Sequence, residues 1–394
     1  MKKRKKHSEH SVAFYNDPDN RAIIYQILAL LGIALFTYFI LNNLFINIEK
    51  RGINTGFDFL SSEAGFGILQ SLIEYDESDS HGKVFIVGLL NTILVSVIGI
   101  IVATIIGLLV GIGRLSSNWM VSKLCMVYVE TFRNIPILLQ ILFWYNIVLA
   151  ALPSPRQSIS FFDSIFFNNR GLYIPKPLLE SGFIWVAVSF VLAIAAVFYL
   201  SNWAKKRHDE TGEDFPLFWV SLTILVISPV AVFLLSGTPA TLEYAALKGF
   251  NFKGGWTLIP ELIALAMALS IYTATYIAEA VRAGIEAVPK GQKEAAHALG
   301  LKESIILKKV VLPQALRVII PPVINQYLNL VKNSSLATAI GYPELVTLFS
   351  GTSLNQVGQA IEIILMTMAV YLTLSIIISI LMNYVNARMQ IKER

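Results

Sequence analysis

The sequence predicts an all-α polytopic membrane protein of about eight spanning helices, and three observations carry that prediction. Apolar residues make up 55% of the 394 and charged residues only 14%, too apolar a balance for a water-soluble domain of this length. The apolar residues gather into runs of about 20, the length that crosses the hydrocarbon core of a bilayer. The basic residues fall between those runs. There they set orientation, so the net charge of +5 implies no nucleic-acid partner. The single cysteine, Cys125, lies inside an apolar run and can form no intrachain disulfide.

Residues 1–21 open with MKKRKK and form a basic arm, read as a solvated tail that fixes orientation. Residues 22–83 hold a first helix, about Ala22–Leu41, too long for the apolar core of a cleaved signal peptide. A polar loop follows, with an acidic patch at Glu74, Asp76, Glu77 and Asp79 that suits solvated surface or a soluble partner. Residues 84–152 hold two apolar helices. Val84–Gly113 carries Gly107 and Gly111 one turn apart, a spacing that admits a second helix closely. Leu124–Leu152 carries Glu130, Arg133, Asn134, Pro136 and Gln140, expensive in a membrane unless they face protein or water. Glu130 and Arg133 are spaced to pair, and Pro136 removes one internal hydrogen bond.

Residues 153–258 change character. A polar loop rich in Pro, Phe and Asn precedes two apolar runs, Phe183–Leu200 and Leu217–Ser236, separated by KKRHDETGED. Residues 259–387 resume with Ile259–Val281, and Glu279 and Arg282 are again spaced to pair. Another span begins at Ile319 and includes Asn325, Gln326, Asn329, Lys332, Asn333, Ser334 and Ser335. Gly341–Leu354 is a loop or re-entrant turn, Glu362–Tyr384 the last helix, and 388–394 a tail. With eight spans and both termini in the cytoplasm, 21 of the 31 Lys and Arg residues lie in cytoplasmic segments and 8 opposite.

The stretch 289–317 stands apart as a polar, basic island between apolar runs. Within it, Glu294–Pro313 reads as two short amphipathic helices broken at Gly300, which lacks a Cβ and tolerates a left-handed turn. Ala295 and Leu299 share a face of the first. Leu301, Ile305, Ile306 and Val310 form the stripe of the second, with Lys302, Lys308 and Lys309 outside it. Pro313 stops or bends the second helix. Such an element lies on a membrane face as a headgroup anchor, or as a docking surface where small Ala295 and Ala296 admit a partner and Glu294 offers it a charge.

The spacing Glu294-Ala295-Ala296, three residues, Gly300, nine residues, Val310, one residue, Leu312-Pro313 resembles the coupling loop of ABC importer permeases. YVETFRNIPILLQ (128–140), GQKEAAHALG (291–300), VLPQALR (311–317) and VKNSSLATAIGYPEL (331–345) resemble permeases for polar amino acids. The first helix and the 153–258 insertion resemble the longer permeases of general L-amino-acid uptake systems. The resemblance implies a type I ABC importer permease fold in a bacterial inner membrane. It implies docking of Glu294, Ala295, Ala296, Gly300, Leu312 and Pro313 on an ATPase pair, with a second related permease or second copy completing the pore. It also implies a soluble external binding protein that delivers an L-amino acid. Arg133, Asn134, Gln140, Lys332, Asn333, Ser334 and Ser335 are then candidates for the translocation path, with structural pairing the alternative for Arg133 and Asn134.

No Gly-x-x-x-x-Gly-Lys-Ser/Thr occurs, so ATP and magnesium are expected on the partner and no catalytic residue in this chain. No His, Cys or carboxylate cluster has metal-ligand spacing, and His297 reads as a surface member of the 294–313 element. An ion-coupled carrier using Glu130, Glu261 or Glu362 is the alternative, but no internal repeat supports it.

Overall fold

The computed structural model describes residues 18–52 and 55–389. Most of the basic arm and of the C-terminal tail lies outside them. After a long first helix, α1 (Pro18–Arg51), residues 55–80 form an irregular segment with a 3-10 turn (Asp58–Ser61) that precedes α2 (His81–Arg114), whose N-terminus is capped by the Ser80 side chain. α3 (Trp119–Asn134) starts at an Asn118 cap and meets α4 (Ile137–Ala151) at 107°. The sequence suggested one continuous helix here. The residue before a proline is pushed out of the helical region, and Ile135 and Pro136 are both extended, with ψ near 130°.

The 153–258 region is not plain loop around two helices. It forms strands β1 (Ile159–Phe161), β2 (Ile165–Asn168), β3 (Gly171–Ile174) and β4 (Lys176–Leu179), then α5 (Phe183–Thr211) and α6 (Leu217–Leu235). β5 (Ala240–Glu243), β6 (Ala246–Lys248), β7 (Asn251–Lys253) and β8 (Trp256–Leu258) follow. β1, β2, β3 and β8 make one antiparallel sheet, with Leu172 opposite Leu258, while β4 pairs β5 and β6 pairs β7. The two loops that the charge count put on one side of the membrane are thus joined in one sheet. Tyr173, Ala245 and Phe252 form its small core.

α7 (Pro260–Glu286) is the centre of the bundle and packs against α2, α3, α4 and α10 (Leu312–Asn333). The contact with α2 rests on small residues, as the glycine spacing implied. A Cβ on Gly107 would lie 2.6 Å from Ile277 Cβ, and one on Gly111 would lie 2.7 Å from Val281 Cβ. Between α7 and α10 come α8 (Lys290–Ala298) and α9 (Glu303–Ile306), the latter running through a π-helical turn (Leu307–Val311) into α10. After α10 a 3-10 turn (Ser334–Ile340), a π-helical segment (Val346–Ser353) and α11 (Leu354–Val357) lead to α12 (Ala360–Met389). The 341–354 stretch is therefore largely helical from Leu345 onward rather than an irregular loop.

Six described helices are long and apolar enough to cross a membrane, and the bent α3–α4 pair makes a seventh. The expected eighth is α10. It has the 22 residues for about 33 Å of helix, but its polar side chains keep it below that apolarity.

Candidate coupling hairpin and polar cleft

At one end of the bundle α8 and α9 form the hairpin that the sequence implied. Gly300 turns the chain at φ +72°, a conformation costly for a residue with a Cβ. His297 Nε2 and Glu303 Oε1, 3.1 Å apart, tie the two pieces across the turn. Ala296 is buried, in one cluster with Ile306, Val311 and Ala315. It seats the hairpin on its own bundle and takes no part in the exposed face, because the helix turns it inward. Glu294, Ala295 and Gly300 are exposed, as are Leu299, Ile305, Leu307 and Leu312, apolar groups left uncovered on a polar element. Ile305 thus faces away from the stripe assigned to it. Pro313 causes no break, since it occupies the first turn of α10, after the π-helical turn. Beside the hairpin, Glu279 joins Arg114 of α2 to Arg282, and Arg282 also pairs with Glu286.

The candidate path residues separate into two groups. Arg133 pairs with Glu130 at 3.8 Å, and Asn134 donates to the Glu130 carbonyl at 2.7 Å. Gln140 is buried and donates to the Phe132 and Ile135 carbonyls at 2.7 and 2.9 Å, the acceptors released at the Pro136 break. These contacts hold the α3–α4 corner together. Ser334 is also buried and donates to the Val331 carbonyl at 2.7 Å, while Asn333 is half-buried. Lys332 and Ser335 alone of the set line a cleft of about 510 Å³, which α12 completes with Thr367, Met368, Tyr371, Leu372 and Ser375.

Behind that cleft lies a residue that the sequence did not single out. Glu344 is fully buried and accepts from Val346 N (2.9 Å), Thr347 N (2.8 Å), Thr347 Oγ1 (3.0 Å) and the Tyr371 hydroxyl (2.9 Å). Asn91, the lone amide in the 84–113 run, donates to the carbonyls of Gln70 and Pro343 at 2.9 and 2.8 Å. Leu345 N donates to Thr92 Oγ1 at 3.1 Å. The 341–354 stretch is thereby stitched to α2 and, through Tyr371, to α12. Isolated polar residues in an apolar run were the one signal that could have found these groups. The carboxylates of an ion-coupled alternative do not meet: Glu130 pairs with Arg133, Glu261 accepts from the Tyr145 hydroxyl at 3.1 Å, and Glu362 accepts from Gly56 N at 2.7 Å. Among the described residues no three His, Cys, Asp or Glu side chains are grouped to hold a metal.

The fold is thus a bundle of membrane-length helices with an exposed amphipathic hairpin and, in its wall, a largely apolar cleft that holds Lys332 and Ser335. Residues 214–391 match the family of binding-protein-dependent transport system inner membrane components. Over its full length, and that of the relative, the chain is 50% identical to a putative amino-acid ABC transporter permease of Escherichia coli (strain K12). It is also 50% identical to the general L-amino acid transport system permease AapQ of Rhizobium johnstonii, covering 96% of this chain and 94% of that one. A glutamate/glutamine/aspartate/asparagine transport system permease of Rhodobacter capsulatus is 42% identical over 95% of each chain. The chain belongs to the amino-acid ABC transporter permeases, and it is a membrane-embedded subunit of that kind.

Proposed function

We propose that this chain is one half of the translocation path of an ATP-driven L-amino-acid importer in a bacterial inner membrane, with both termini cytoplasmic. The exposed α8–α9 hairpin is the observation that carries this reading. Uncovered Leu299, Ile305 and Leu307 beside Glu294 and Ala295 suit docking in a groove of a separate ATPase, where ATP and magnesium act. A second related permease, or a second copy, completes the pore, and an external binding protein delivers the solute.

Alternating access follows from a rigid connection. The hairpin is packed into the bundle through Ala296 and Ile306, and α9 runs unbroken into α10, so motion of the ATPase pair moves the cleft-lining helix with it. Shifting such a bundle from 1:99 to 99:1 takes ~5.5 kcal/mol, which clamping of the ATPases on ATP supplies. Glu294→Lys or Gly300→Val is expected to abolish ATP-dependent uptake while the chain still inserts. Co-purification with the ATPase, measured beside uptake, checks it. Normal uptake by both variants sinks the docking role.

A further inference from the structure

Lys332 carries an unanswered charge. The cleft wall opposite it runs from Thr367 to Ser375 of α12, a helix long and apolar enough to cross a membrane. Among the described residues Lys332 has no ion-pair partner. Lys332 is exposed on the bundle, and an ammonium beside a membrane-length apolar helix is expensive unless water or an anion meets it. The Glu344 carboxylate is turned away, held by backbone donors and the Tyr371 hydroxyl, and leaves the Tyr371 ring as cleft wall.

The other polar groups of the cleft are mostly engaged. Ser335 donates to the Lys332 carbonyl, and Thr367 donates to the Ile363 carbonyl and meets Ser350 Oγ at 2.8 Å. Ser375 is different. Its hydroxyl lines the cleft, is buried, and among the described residues has no hydrogen-bond partner. Lys332 and Ser375, on two helices lining one cleft of about 510 Å³, thus offer an ammonium and a hydroxyl that no other described residue engages.

We propose that Lys332 and Ser375 bind a carboxylate of the transported solute, Lys332 by a charge-assisted hydrogen bond and Ser375 by its hydroxyl. The inference rests on the importer reading above and goes beyond it by assigning the contact. Two carboxylates are available in an acidic amino acid, the α-carboxylate and that of the side chain. Lys332 recognises any amino acid in the first case and selects acidic ones in the second.

The test uses the whole complex, with its ATPase and partner permease, in nanodiscs without the binding protein. Equilibrium binding of radiolabelled L-glutamine and L-glutamate is measured beside ATP-dependent uptake in proteoliposomes that include the binding protein. Lys332→Gln is expected to weaken binding about tenfold or more. Lys332→Arg should restore a large part of it, which mere structural damage would not allow. An equal loss for both probes assigns the α-carboxylate, and a loss confined to glutamate assigns the side-chain carboxylate. Ser375→Ala, a smaller change that leaves every charge in place, should weaken binding about threefold to tenfold. If Lys332→Gln and Ser375→Ala bind both probes as the parent does, the proposal is overturned. A parent complex without ATP-dependent uptake of either probe fails the importer reading instead, so the two failures are told apart.

Discussion

The central α2–α7 contact and the inserted α5–α6 hairpin are both pairs of membrane-length helices, yet they are built on opposite rules. α7 is the least apolar of the six membrane-length helices, yet most of its apolar stretch is buried, while the more apolar α6 buries none of its own. In a bilayer, lipid is as good a solvent for leucine as protein is, so burial is not driven by apolarity. Small residues that let backbones approach, and polar groups that need partners, decide which helices pack. α7 buries Ala264, Ala268, Ala274, Ala278 and Gly284. α5 and α6 pack chiefly on each other and expose Trp185, Leu192, Phe218, Ile227 and Leu235.

Three substitutions test that contrast, beginning with the largest effect. Glu344→Ala leaves the Val346 and Thr347 amides and the Tyr371 hydroxyl without their acceptor in a buried site. A loss of about 3 kcal/mol is expected, and thermal unfolding of the solubilised complex measures it. Stability equal to the parent's would mean that polar stitching does not hold the 341–354 stretch. Gly111→Val drives a Cβ against Val281 and the Ala278 carbonyl, to which a Cβ would come within 2.9 Å. Its cost is about 1–3 kcal/mol, visible as a lower unfolding temperature and poorer assembly. Ile227→Trp, on the exposed face of α6, should stay within about 0.5 kcal/mol of the parent. A large loss there would show that a protein partner, rather than lipid, covers the hairpin.

The same contrast explains what could be read from the residues alone. Spans and hairpin were legible because each is written in a short window: apolar runs of membrane length, Gly300 between two amphipathic pieces, Gly107 and Gly111 one turn apart. Glu279 with Arg282 and Glu130 with Arg133 were legible as neighbours on one helical face, and both pairs form. The inward turn of Ala296 was not, since Ala295 and Ala296 are chemically identical and differ only in which side of α8 meets Ile306. Nor was the engagement of Gln140, whose partners exist only because the chain bends at Pro136. Glu344 escaped notice because a carboxylate's burial depends on Tyr371, 27 residues away, and on a fold that encloses both.

By itself the sequence determined the class of protein, the placement of its spans and the α8–α9 hairpin. Hydropathy, charge bias and turn chemistry act over a few residues and are fixed before any two helices meet. Tertiary structure alone decided which helices form the core and that Leu172 pairs with Leu258 across the whole α5–α6 insertion. It also brought Lys332 and Ser375 to face one cleft, in the wall that Glu344 and Tyr371 brace from behind. Those outcomes depend on packing and hydrogen bonds between residues far apart in the chain, and no local window contains both partners.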